Sequence, residues 1–188
     1  MVNYDGLYNK DFFGDKLKPK NHFVERKIHF KIIEDATILP HKNLPDSVGL
    51  GGIVDSKGNF IEESFIHPGT NEIYTPYEKV EVASEPVIYF GMLVNIWGHC
   101  LTDNIKRLWF FFSNSYNKYF KKYPIVYVPM WYGIIPNFAK LLEVMGFNVN
   151  NLRPITKPTK FPLVIMPDAS LFPDGGGGYP IQMNTLKL

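Results

Sequence analysis

The chain has 188 residues, 45% of them hydrophobic and 15% aromatic, with a net charge of only +2. That is material for one good core or two small ones, and the eleven Tyr and fifteen Phe argue against an intrinsically disordered chain. No basic run exceeds two residues, which speaks against nucleic acid as a partner. A single cysteine, Cys100, excludes an intrachain disulfide and a multi-cysteine zinc cluster.

The N-terminal stretch MVNYDGLYNKDFFGDK lacks the apolar centre of a signal peptide. No run approaches the roughly 18 apolar residues of a membrane span. The expectation is a cytoplasmic protein, with peripheral membrane association left open. Residues 1–85 read as a short strand-and-loop segment, with alternating stretches at 27–33 (KIHFKII) and 59–66 (NFIEESFI). Pro40, Pro45, Gly49, Gly51, Gly52, Gly58, Pro68 and Gly69 punctuate it, and GLGG at 49–52 reads as a turn.

From residue 86 the rhythm changes. Residues 86–94 form an apolar run suited to a strand buried on both faces. A long helix is predicted from about 97 to 118, with Asn95 as its N-cap. PIVYV at 124–128 is a second strand, and 135–145 carries helical spacing between Pro136 at its start and Gly146 at its stop. Residues 152–155 and 161–166 (FPLVIM) read as further strands. Strand, helix, strand, helix, strand predicts a Rossmann-like parallel sheet with crossover helices over 86–172. Residues 173–188 read as a flexible tail, since DGGGGY at 174–179 has neither the P-loop pattern nor a helix after it.

The chemistry concentrates in NIWGHCLTDNIKRLWFFF at 95–112. On a regular helix His99, Asp103 and Arg107 stand one turn apart and share a face, with Lys106 alongside, while Trp97, Leu101, Ile105, Leu108 and Phe112 lie opposite. A carboxylate one turn from a histidine can accept its Nδ1–H, fix the tautomer and leave Nε2 as a general base. Arg107 could pair with Asp103 or hold a phosphate. The plain alternative is a surface ion-pair ladder. The position favours function, because open α/β sheets place their ligand crevices where a strand ends and a helix begins. Adjacent helix residues point about 100 degrees apart, so His99 is badly placed to activate Cys100, which reads as a small buried thiol.

No D-x-D occurs, and His22, His29, His41 and His67 show no metal-ligand spacing. No metal site and no bound cofactor are therefore expected. Trp97, Trp109 and Trp131 could stack on sugar rings, although core packing is the plainer role. H-x-x-x-D also occurs in acyltransferases that attack a thioester, where Gly usually follows the Asp; here Asn104 does.

The run YFGMLVNIWGHCLTDNIKRLW at 89–109 resembles the hallmark of family 61 glycosyltransferases, in which a strand leads into a W/F-G-H-F-L-x-D-x-x-x-R-L-W helix. KYPIVYVP at 122–129, LLEVMGF at 141–147 and LVIMPDASL at 163–171 follow in the family's order. Cys100 stands where an aromatic is usual and Ala169 where Glu is common. The resemblance implies one half of a GT-B-like architecture of the capsular-polysaccharide type. It implies transfer of a sugar from a nucleotide-sugar donor to a glycan hydroxyl without a metal, with His99 and Asp103 as base and orienter and Arg107 on the pair or on anionic substrate. On this reading the donor-binding domain lies in a further C-terminal domain or a partner chain. The alternative is a non-catalytic glycan- or partner-binding remnant of such an enzyme.

Overall fold

The computed structural model describes residues 28–43, 49–66, 79–131 and 136–170. The tail at 173–188, with its four glycines, and the positions of His22 and His67 lie outside them. Eight strands form one sheet: β1 (Phe30–Lys42), β2 (Leu50–Val54), β3 (Phe60–Ile61), β4 (Glu81–Val82), β5 (Val87–Val94), β6 (Ile125–Met130), β7 (Leu152–Pro154) and β8 (Thr159–Pro167). Their order is β3-β2-β1-β8-β5-β6-β7, with β4 pairing on β8 below β5.

This corrects the expected Rossmann-like, GT-B-half architecture. The run β8-β5-β6-β7 is parallel, but β1 is antiparallel to β8 over Phe30–Ile38 and to β2, and β2 is antiparallel to β3. The sheet is mixed, and the lead-in strands are part of it rather than a prelude to it. The reason lies in β1: a thirteen-residue strand supplies a long edge, and β8 pairs with that edge on one side and with β5 on the other. Leu50, Gly51 and Gly52 of GLGG are likewise strand rather than turn: Gly52, with φ at 112°, brings its backbone so close to Ser64 that a Cβ would meet its Oγ at 2.6 Å.

Two cores lie on the two faces. One gathers Ile38, Ile53, Phe65, Tyr89, Met92, Val128 and Val164; the other gathers Ile88, Phe90, Phe110, Phe138, Phe147 and Ile165. The second half of β1, beyond Asp35 (φ 51°), turns over the first core. There the His41 ring stands 5.8 Å from Trp131 at the end of β6, and Trp131 Nε1 donates to Asn43 Oδ1 at 2.8 Å. On the other face, helix α2 (Pro136–Val144) buries Phe138 and Leu142 one turn apart, and Gly146 at φ 82° follows its end.

Strand β5 is buried along its whole length, and a bulge interrupts it. Tyr89 pairs with Val126 and Gly91 with Tyr127, so one extra residue is inserted. Val87 and Tyr89 therefore face the first core, Ile88 and Phe90 the second, and Met92 and Val94 face the first again. Without the bulge the end of the strand would present its side chains to the wrong faces.

The expected helix over 97–118 is replaced by a string of short turns. Helix α1 (Trp97–His99) runs on as a π turn (Cys100–Asn104), followed by 3-10 (Leu108–Phe112) and π (Tyr116–Phe120) turns. Buried Asn104, Lys106 and Arg107 all have backbone partners elsewhere in the fold to reach, which uniform 3.6-residue winding does not provide.

Candidate functional site

The site is built where β5 ends. Past Val94 the chain has no further ladder on β5, and Asn104 supplies the missing partners. Val94 N–H donates to Asn104 Oδ1 at 2.9 Å, and Asn104 Nδ2 donates to Val94 O at 3.0 Å. This clasp folds the 97–104 turn back against its own strand. Asn95 does not cap the helix; Ile96 holds that position without a side-chain bond, and Asn95 Oδ1 is buried with no hydrogen-bond partner. Cys100 lies beneath the turn, fully buried, with Sγ 3.7 Å from Val94 O and 3.4 Å from Asn104 Nδ2; burial pushes its thiol pKa up. Such a thiol is a packing element, not a nucleophile.

On the outer side of the turn, His99 Nδ1 lies 2.6 Å from Asp103 Oδ2. The His99 side chain is 36% exposed and that of Asp103 only 16%. Thr102 Oγ1 adds a 3.2 Å bond to the same carboxylate oxygen, and Lys106 Nζ stands 3.9 Å from the other. The carboxylate is thus hydrogen-bonded on Oδ2 and has the Lys106 ammonium within ion-pair distance of Oδ1. The partly exposed imidazole meets this carboxylate through Nδ1, an arrangement that favours the Nδ1–H tautomer.

Arg107 is elsewhere. It is the largest fully buried side chain among the described residues, and it fills the fork where β5 and β8, paired at Val87–Val164 and Ile88–Ile165, part company. Its Nε donates to Pro167 O at 3.0 Å, its Nη2 donates to Glu63 O, and its guanidinium carbon lies 5.7 Å from the centre of the Tyr89 ring. Tyr89 in turn donates its hydroxyl to Ser64 O at 2.9 Å. Burial lowers the Arg107 pKa, opposed by Tyr89, Asp168 and Glu63, and burial raises that of Tyr89. The crevice that strand order predicts is therefore occupied by the protein's own guanidinium. Gly91 is what admits it: a Cβ there would stand 3.1 Å from Arg107 Nη1, on a backbone with φ at 132°.

On a regular helix Lys106 lies alongside the His99 face, opposite the apolar side, yet only 4% of it is exposed. Its Nζ donates to Ile66 O at 2.6 Å, and its own carbonyl accepts from Ser170 N–H at 2.7 Å. Burial, with Arg107 adding to it and Asp103 opposing it, brings its pKa down to about 7. Trp109 closes the same edge, its indole N–H donating to Asp168 O at 2.8 Å. Of the three residues singled out from the sequence, the structure brings His99 and Asp103 together and turns Arg107 away into the core. Lys106 takes the place beside the carboxylate, and the only sequence signal for it was its i,i+3 spacing from Asp103.

Among the described residues, no group of three His, Cys, Asp or Glu side chains is placed to hold a metal ion, and no helix is long and apolar enough to cross a membrane. No protein-family model, curated protein or solved structure matches the chain.

Proposed function

We propose that the His99–Asp103 pair is the base of a transferase that activates an acceptor hydroxyl. The 2.6 Å contact from Nδ1 to a partly buried carboxylate, at the mouth of a buried strand, carries this reading. Asp103 orients the ring and stabilises the imidazolium that forms as Nε2 takes the hydroxyl proton. The resemblance of WGHCLTDNIKRLW at 97–109 to family 61 glycosyltransferases supplies the reaction class. The proton leaves as the acceptor oxygen attacks the anomeric carbon of a nucleotide sugar, and the bond to the diphosphate breaks. The acceptor is a glycan hydroxyl and the setting cytoplasmic, at or near a membrane surface. The reading rests on the motif and the pair, not on the architecture of the sheet.

Arg107 enters this reading as a framework residue. Its donors serve Pro167 O and Glu63 O, so binding of the leaving diphosphate falls to other groups.

The test is incubation of the purified chain with a panel of nucleotide sugars, with and without glycan acceptors, following release of the nucleoside diphosphate. Turnover that falls about 100-fold or more in His99→Ala and Asp103→Asn, with circular dichroism unchanged, is the expected result. Turnover indifferent to His99 refutes the assignment. Glycan binding by calorimetry with no nucleotide binding and no turnover makes the chain a binding module instead, and affinity for an acyl thioester moves it to acyl transfer.

A further inference from the structure

We propose that Lys106 is a positioning residue of this site: its ammonium, anchored on the Ile66 carbonyl, holds the Asp103 carboxylate in place for His99. The inference rests on the reading of His99 and Asp103 as the working pair and adds a third member to it. Three observations carry it. The Asp103 carboxylate is divided, with Oδ2 toward His99 and Thr102 and Oδ1 toward Lys106 at 3.9 Å. The lysine is itself immobile, because Nζ is bonded to Ile66 O at 2.6 Å and its backbone carbonyl to Ser170 N–H at 2.7 Å. Finally, the side chain is buried, so its charge acts on Asp103 with little screening by solvent.

Among the described residues, the ionisable groups acting on Lys106 are few. Asp103 faces it from its own turn and Arg107 lies beside it, while the partner from 62–66 is the uncharged Ile66 carbonyl. Glu63 and Asp168 act on Arg107 and reach Lys106 only through it. Burying an ammonium here costs stability that a Met or Leu would not cost. A histidine–carboxylate pair that needs a fixed carboxylate gives that expense a purpose.

The geometry also makes the site sensitive to pH. Lys106 changes charge near neutrality, so Asp103 has a cationic neighbour below about pH 7 and a neutral amine above it. The neutral amine still donates to Ile66 O but no longer draws the carboxylate.

The test reads the imidazole, without substrate. In long-range proton–nitrogen correlation spectra, His99 is assigned by its loss in His99→Gln. At pH 6.5, where Lys106 keeps most of its charge, the neutral fraction of the parent imidazole is expected to show the Nδ1–H tautomer in majority. In Lys106→Met and Lys106→Gln the ratio of Nδ1–H to Nε2–H should fall about threefold or more, since the orienting carboxylate loses one of its anchors. An unchanged ratio in either folded variant overturns the proposal. If neither variant folds, the parent and Asp103→Asn decide it. With the 13Cε resonance of Lys106 as readout, the midpoint near 7 should drop by about half a unit or more when the carboxylate is neutralised. An unmoved midpoint overturns the proposal. A chain without transferase activity defeats the reading of His99 as a base but leaves these spectra as they are, so the two failures are told apart.

Discussion

The buried lysine makes a quantitative statement about stability and pH. Folding carries Lys106 from its ordinary pKa of 10.5 to about 7, chiefly by burial. Between those values the unfolded chain binds the proton and the folded chain does not, so unfolding free energy rises with pH across that window. The cost of the buried ammonium is fully present below about pH 7 and is relieved as the pH climbs toward 10.5. Integrated from pH 7 to pH 9, the relief amounts to about 2 kcal/mol. Urea unfolding of the parent and of Lys106→Met at both pH values measures it. The parent should gain about 2 kcal/mol more than the variant over that interval, because other titrations are common to both chains and cancel. The difference in slope is the useful quantity. The absolute stability of Lys106→Met also contains the loss of the bond to Ile66 O, which opposes the gain from removing a buried charge. Parallel pH curves for the two proteins, agreeing within about 0.5 kcal/mol, would refute the burial argument.

Two more expectations concern the fork between β5 and β8. Arg107→Met strands the Pro167 and Glu63 carbonyls and should cost about 3–5 kcal/mol, a fall in Tm of about 10 °C, and Arg107→Lys should not restore it because one ammonium cannot span both acceptors. Gly91→Ala should cost on the order of 1–3 kcal/mol from its backbone at φ 132° and the 3.1 Å approach to Arg107. Its cost measured by calorimetry should shrink in the Arg107→Met background, and equal costs in both backgrounds would show that the guanidinium is not what Gly91 accommodates.

The sequence was most transparent where a stretch had one environment. VIYFGMLV, PIVYV and FPLVIM are unbroken apolar runs, and β5, β6 and β8 fall on them. The helix at Pro136–Val144 kept its proline start and glycine stop. Of β1 only the start was legible, in the alternating stretch at 27–33, because its environment changes along its length: Phe30–Asp35 is half exposed, EDAT interrupts the alternation, and only Ala36, Ile38 and Leu39 are buried. The turn region failed for another reason. A helical wheel assigns Lys and Arg to solvent, whereas Lys106 and Arg107 go inward to backbone carbonyls that lie some 40 and 60 residues away in sequence. No local pattern announces such partners. The His99–Asp103 contact was legible because spacing of four brings two side chains together whether the turn winds as α or slightly wider.

The place of β8 has a consequence for how the molecule is made. It follows every other described strand in the chain, yet it lies at the centre of the sheet, its Phe30↔Pro167 register joining residues 137 positions apart. In the folded sheet β1–β3 and β5–β7 are two ribbons that β8 joins, so before residues 159–167 emerge from the ribosome the inner edges of both are expected to lack their native partner. Both cores include side chains of this strand, Val164 and Met166 in the first and Ile165 in the second, so neither is complete without it. The Arg107 guanidinium waits for the same moment, since one of its two acceptors arrives with Pro167. Folding is thus expected to be slow and to finish in one late step, with two exposed strand edges for chaperones to guard until then.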